Sequence, residues 1–341
     1  MNDSLHYYRH SGEFRLESGG ALTDIQIAYQ TFGQLNSAKS NVVWVCHALT
    51  ANADPTQWWL GLVGENYLIN PEEHFIVCAN ILGSCYGTTG PRDFDPETGE
   101  RYLSSFPNIT IRDQVNAHIL LKNHLGIEHV ALGMGGSTGG QQILEWAIKE
   151  NIFDKLFVIA ASAQSSPWGK AIRASQRMAI EADPSFFSNS VNGGKRGMEA
   201  ARAMALLSYR TPNAFNQSKK DNNEALKNYK AESYQRYQGL KLSNRFDARS
   251  YYVLGKAMDT HNIGRGRESI QKALVTIKAK TLIIGIESDL LFPLEDQRTI
   301  AKYLANTTFE IIQSDYGHDG FLIETQKISE ILKPFLINES N

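Results

Sequence analysis

The sequence predicts an α/β fold, in which a mostly parallel central sheet carries helices on both faces and a helical cap is inserted into the chain. Three observations point there. Short, nearly continuous apolar runs recur at Asn41 to Cys46, Phe75 to Ala79, Val130 to Gly133, Leu156 to Ala160, Thr281 to Ile286 and Thr308 to Ile312. Runs of this kind suit parallel strands covered on both faces. Helical spacing fills the intervals, as in Ile111 to Leu125 and Gly140 to Glu150, and strands alternating with helices specify a layered α/β sheet. From residue 167 to residue 275 the pattern changes to helical spacing rich in Ala, Arg, Lys, Gln and Tyr, with no apolar strand run. The expected organisation is a core of residues 1–166 and 276–341, with residues 167–275 inserted as the cap. Ahead of the core, Phe14 to Glu17 and Ile25 to Tyr29 alternate with polar residues and predict a hairpin at an antiparallel edge of the sheet.

The 341 residues carry 34 Lys+Arg against 36 Asp+Glu, a formal charge of −2 with histidine neutral. Polyanion binding rests on clustered positive charge, so a dedicated nucleic-acid or membrane-surface binder is not expected. Hydrophobic residues at 42% and charged residues at 21% lie in the globular range and away from disorder. Cys46, Cys78 and Cys85 make neither a CxxC pair nor an even set, which fits a reducing compartment. No basic stretch leads into an apolar run near Met1, no segment approaches the ~18 apolar residues of a membrane span, and no lipidation box is present. A soluble, cytoplasmic protein is the expectation.

Chemistry enters at Gly135-Gly136-Ser137-Thr138-Gly139, a G-x-S-x-G sequence preceded by a strand run and followed by a helix. That context is what a nucleophile elbow demands, because the tight strand-to-helix turn leaves room only for small flanking residues. Placed at a helix N-terminus, Ser137 lies among free backbone N–H groups that favour developing negative charge. The competing phosphate-loop reading is weaker. Gly133-x-Gly135 is followed by Thr138 where the dinucleotide fingerprint has its third glycine, and no acidic residue ends a strand ~20 residues on.

A serine nucleophile needs a histidine base oriented by a carboxylate, and in sheets of this type the chain order is Ser, Asp, His. After Ser137 only His261 and His318 remain, and His261 falls in the cap. His318 follows the last strand run between Gly317 and Gly320 and is preferred. For the acid, Asp289 beyond the Thr281 run is preferred, with Glu287 and Asp315 as alternatives. An oxyanion hole needs two backbone amides. The residue after the nucleophile, Thr138, supplies one, and the loop His47-Ala48-Leu49-Thr50 after the first parallel strand supplies the other. His47 itself reads as structural. Neither an HExxH motif nor a His/Cys pair at ligand spacing is present, so no metal is expected.

Nearly end to end, the chain resembles the homoserine O-acyltransferases of the MetX type, a branch of the α/β-hydrolase superfamily. The resemblance includes Leu16-Glu17-Ser18-Gly19, Cys46 to Thr50, Asn80 to Gly87 with Thr89-Gly90-Pro91, Thr110 to Asp113, and Gly135 to Gly140 with Glu145-Trp146-Ala147. It continues through Glu181 to Pro184, Glu232 to Gly239, Arg245 to Ala248, Ser288 to Pro293 and Gly317-His318-Asp319. It implies an α/β-hydrolase fold, a Ser137, Asp289, His318 triad, and oxyanion amides from Leu49 and Thr138. It further implies that Arg202 and Tyr209 on a cap helix, with Asp319, hold the amino-acid acceptor, beside Thr50. A guanidinium suits the acceptor carboxylate and a carboxylate suits its ammonium group. Thr138, Ala51 and Gly320 depart from the usual family pattern, and these departures bear on substrate identity.

The implied reaction moves an acetyl group from acetyl-CoA, a co-substrate in an enzyme with no cofactor, to the side-chain hydroxyl of L-homoserine through an acyl-Ser137 intermediate. Alternatives with the same mechanism take a succinyl donor or L-serine as acceptor. No cation for a succinyl group is evident in the sequence, which favours acetyl. Other classes are a plain esterase or thioesterase, and a binding protein on an inactive scaffold. A homodimer formed through the cap helices, with the tyrosines of Tyr229 to Tyr237 as a candidate face, completes the expectation.

Overall fold

The computed structural model describes residues 5–337 apart from 223 and 225. Among these, β1 (His6–Arg9), β4 (Gln26–Phe32), β5 (Val42–Cys46), β6 (Phe75–Ala79), β7 (Val130–Gly136), β8 (Phe153–Ile159), β9 (Lys280–Ile286) and β10 (Thr307–Ile312) form one sheet. Their order is β1-β4-β6-β5-β7-β8-β9-β10, while β2 (Glu13–Arg15) and β3 (Ala21–Thr23) pair only with each other. From β6 to β10 every pairing is parallel, and β1 and β4 join antiparallel.

Alternation along β5 shows how two cores are built. Val42, Trp44 and Cys46 pack against Val115 and Leu121 of the helix Ile111–His124 and against Ile143 and Trp146 of the helix Thr138–Lys149. Val43 and Val45 face the other way, onto Trp59 and onto Ile328, Leu332 and Phe335 of the helix Thr325–Ile337. A strand buried on both faces must be apolar at consecutive positions, which is why these runs stand out in the sequence.

The expected hairpin between Phe14–Glu17 and Ile25–Tyr29 does not form. Phe14 faces Leu22 across β2 and β3, where Gly19 and Gly20 take positive φ and close a tight turn. The second run becomes β4, inserted between β1 and β6 with Ile27, Ala28 and Tyr29 all buried. Three consecutive buried residues need cover on both faces of the sheet, and β4 has a paired strand on either side as well. The true edge strand, β1, alternates half-buried and exposed residues.

Between β8 and β9 the regular elements are helical: Pro167–Glu181, Lys195–Tyr209, Pro212–Ser218, Lys230–Ser243, Ala248–Asp259 and Ile270–Leu274, with one 3-10 turn at Pro184–Phe187. The chain leaves and re-enters this region side by side, because Gln164 and Asn262 form an isolated bridge and the Ser165 and Ile263 amides donate to His261 and Ala163.

Candidate active site

Ser137 stands between β7 and the helix Thr138–Lys149 with φ 57° and ψ −127°. For a residue with a Cβ this backbone costs about 1–3 kcal/mol and persists only where its surroundings impose it. Here the helix is pressed onto the sheet. A Cβ on Gly139 would lie 2.1 Å from the Cys46 carbonyl oxygen, and one on Gly135 would lie 2.4 Å from the Gly139 backbone.

From this elbow a hydrogen-bonded chain runs through three strand ends. The Ser137 Oγ to His318 Nε2 distance is 2.9 Å, and His318 Nδ1 to Asp289 Oδ2 is 2.7 Å. Asp289 is fixed in turn, its Oδ1 accepting from the Leu291 amide at 2.8 Å and the Phe292 amide at 2.9 Å. A carboxylate on Nδ1 selects the tautomer with the proton there, so the Nε2 lone pair faces the Ser137 hydroxyl. All three are nearly shut off from solvent, at 6% for Ser137, 3% for His318 and 4% for Asp289. The rings of Tyr209, Phe292 and Phe321 surround the imidazole.

The alternatives lie elsewhere. Glu287 is exposed, and Asp315 is exposed with its Oδ1 accepting from Asn213. His261 is buried against the Ser162 carbonyl at 3.0 Å, and burial pushes its pKa down to about 3.

A second network stands behind the oxyanion candidates. His47 is fully buried. Its Nε2 accepts from the Ile81 amide at 3.0 Å, which leaves the proton on Nδ1 to donate to the Ala48 carbonyl at 2.8 Å. Burial pushes the pKa of His47 down to about 4, so the ring stays neutral and pins the start of the Leu49 loop. Gln142 Nε2 then donates to the carbonyls of His47, at 3.4 Å, and Thr138, at 3.2 Å, joining that loop to the helix start. Gln142 Oε1 accepts from His118 at 2.9 Å. Among the described residues the Leu49 and Thr138 amides donate to no protein acceptor.

Ser137 and His318 open into a cleft of about 550 Å³. Leu49, Thr50, Arg202, Tyr209 and Asp319 all line it. The Arg202 guanidinium lies 5.3 Å from the centre of the Tyr209 ring. Asp319 Oδ2 accepts from Arg210 Nε at 2.8 Å, which holds the carboxylate in place on the cleft wall. Thr50 accepts from Arg245 through its carbonyl at 2.5 Å.

Known proteins resemble this chain in sequence and fold. A family described by the alpha/beta hydrolase fold matches residues 41–325. A homoserine O-acetyltransferase of Cyclobacterium marinum is 47% identical over 328 residues, covering 95% of this chain and 93% of that protein. The chain belongs to the homoserine O-acetyltransferase family. Among solved structures, a homoserine O-acetyltransferase from Bacillus anthracis superposes with a TM-score of 0.93 at 22% identity, over 99% of this chain and 98% of that one. An esterase, E22, superposes with a TM-score of 0.89 at 22% identity, over 98% and 99%. At such identities the likeness is one of fold. Because a transferase and an esterase share that fold, the acceptor must be decided by the residues of the cleft.

Several of those residues escape sequence reasoning. Arg210 is next to Tyr209 and reads as one more basic helix residue, yet it holds Asp319. Gln142 reads as a helix filler. Lys241 and Arg245 both line the cleft, two cations that the sequence does not mark as near the site. Arg210, Lys241 and Arg245 come from segments remote in sequence from Ser137, so only packing reveals them.

Proposed function

We propose that the chain transfers an acetyl group from acetyl-CoA to the side-chain hydroxyl of L-homoserine, giving O-acetyl-L-homoserine for methionine biosynthesis. The observation that carries this reading is the position of Arg202, Tyr209 and Asp319 on the same cleft as the Ser137–His318–Asp289 chain. A hydrolase has no use for a cation and a carboxylate set to hold an amino acid.

In this mechanism His318 Nε2 takes the Ser137 proton as Oγ attacks the thioester carbonyl. Charge on the resulting oxyanion falls on the Leu49 and Thr138 amides, donors of a kind worth about 3–4 kcal/mol each when removed by mutation. Asp289 holds the ring and stabilises the imidazolium. Collapse breaks the C–S bond, the CoA thiolate takes the proton back from His318, and acetyl-Ser137 remains. Homoserine binds with its carboxylate on Arg202 and its ammonium on Asp319. Its hydroxyl gives a proton to His318 and attacks the ester carbonyl. Collapse then returns that proton to Ser137 Oγ and frees the product. Residues 167–275 act as a cap that limits water at the acyl-enzyme.

We also assign the protein to the cytoplasm, in keeping with its thiols and with the absence, among the described residues, of a helix long and apolar enough to cross a membrane. A homodimer is supported by exposed Met204 and Leu207 on the helix Lys195–Tyr209 and exposed Tyr237 and Leu240 on the helix Lys230–Ser243.

The test is CoA release by purified protein, crossing acetyl-CoA and succinyl-CoA with L-homoserine, L-serine and no acceptor. Release that requires acetyl-CoA and homoserine together is expected. Preference for succinyl-CoA, which Lys241 or Arg245 could favour, or for serine would keep the mechanism and change the substrate. Acceptor-independent release would make the protein a thioesterase.

A further inference from the structure

Beyond Arg245 a second pocket of about 290 Å³ opens, with Arg92, Lys195 and Asn244 in its wall. Arg245 lines this pocket and the active-site cleft alike. Neutral groups hold it there: Nη1 donates to the Thr50 carbonyl at 2.5 Å and to the Tyr86 hydroxyl at 2.7 Å. Lys241, one helical turn earlier, lines the cleft on the catalytic side.

None of Arg92, Lys195, Lys241 and Arg245 forms an ion pair among the described residues; Lys195 Nζ donates to the neutral Asn244 Oδ1 at 3.1 Å. One carboxylate, Asp247, shares the small pocket. It is buried, its Oδ1 accepts from the Ser250 amide at 2.8 Å, and burial pushes its pKa up. Four cations from three stretches of a chain of formal charge −2 thus line two pockets that share Arg245, one of which holds Ser137. Arg92 has the carboxylates of Asp93 and Asp247 in its field, but the cations outnumber the carboxylates along both pockets, and a surplus of one sign concentrates ligands of the other, with arginine and lysine suited to phosphate.

We propose that the pocket of Arg92 and Lys195 binds the phosphate-bearing nucleotide end of the acyl-CoA donor, with Arg245 and Lys241 along the route by which the thioester arm reaches Ser137. This rests on the acyltransferase reading. The amino-acid acceptor carries no phosphate, and its own groups are matched at Arg202 and Asp319. The basic path therefore serves the donor.

The experiment compares wild type with the Arg92→Ala/Lys195→Ala double variant on two donors, acetyl-CoA and the acetyl thioester of N-acetylcysteamine, which lacks the nucleotide. Both side chains are exposed, and circular dichroism checks the fold. The expected result is a rise in the KM for acetyl-CoA of about ten- to a hundred-fold, from charge-assisted hydrogen bonds lost at two groups. The KM for homoserine stays put, and the loss disappears with the short thioester. In wild type, adenosine 3′,5′-bisphosphate competes with acetyl-CoA, and the variant weakens that competition. Equal losses with both donors, no loss with either, or bisphosphate inhibition that is not competitive with acetyl-CoA would overturn the proposal while leaving the acyltransferase reading intact. A wild type unable to use acetyl-CoA and homoserine at all would remove that reading as well.

Discussion

The two walls of the cleft are made by different rules. The sheet wall offers Ser137, Asp289 and His318 from loops that leave β7, β9 and β10 at one edge, and their side chains meet at 2.9 and 2.7 Å. The helical wall offers Arg202, Tyr209, Lys241 and Arg245 from the region between β8 and β9. Reactive atoms need fixed distances and so sit where a rigid sheet imposes them. In the proposed reaction the helical groups decide which molecule arrives, and they ride on helices outside the sheet that fixes the chemistry.

The largest effect that tests the division is Ser137→Ala. Acetyl transfer should fall by about 10⁴–10⁶ with the melting temperature unchanged or raised, since alanine removes the nucleophile and leaves the elbow intact. Steady-state rates and thermal melts check both, and retention of most activity would place the chemistry outside the sheet wall. Next is Arg202→Ala, expected to lower kcat/KM for homoserine by roughly 10²–10³ as a carboxylate loses its charged partner. Acetyl-Ser137 formation from acetyl-CoA should be spared, which a single-turnover measurement without acceptor would reveal. If acylation falls equally, Arg202 acts on the donor half and the two walls are not separable.

Smaller again is Gln142→Leu, which keeps the volume and removes the donor bridging the His47 and Thr138 carbonyls. A loss of roughly tenfold in kcat with KM for both substrates preserved is expected, about one hydrogen bond to the oxyanion weakened. A change confined to KM would mean that Gln142 shapes the cleft and not the oxyanion site.

The smallest effect near neutral pH concerns stability. Burial holds His47 and His118 at about 4 and His261 at about 3, against about 6.5 in an unfolded chain. Between those values the unfolded state binds protons that the folded state refuses, so stability falls as pH drops from about 6.5 toward 4, by up to ~1.4 kcal/mol per unit per histidine. Asp296, lifted by burial to about 6, works in the opposite sense and offsets part of the slope. Melting temperatures across this range should decline steeply below pH 6 and flatten above pH 7. A flat profile would mean that these imidazoles gain protons without unfolding.

How much was legible in the sequence follows the same line. The glycines around Ser137 announce a local backbone demand, and the order Ser, Asp, His is a property of the topology, so both could be read. The pairing of β4 could not, because period and composition do not say which neighbour a strand takes when a tight Gly19-Gly20 turn diverts the nearer candidate. Arg210, Gln142, Lys241 and Arg245 were equally hidden. Each is an ordinary polar residue on or beside a helix until packing brings it to Asp319, to the oxyanion loop or to the cleft.

The most direct measurement is the mass of the protein after rapid mixing with acetyl-CoA in the absence of acceptor, followed by quenching and peptide mapping. One acetyl group should appear on the peptide that contains Ser137, vanish when L-homoserine is added, and be missing in Ser137→Ala. No acetylation in a preparation that transfers acetyl normally, or acetylation at another residue that homoserine discharges, would contradict a serine-centred, two-step transfer.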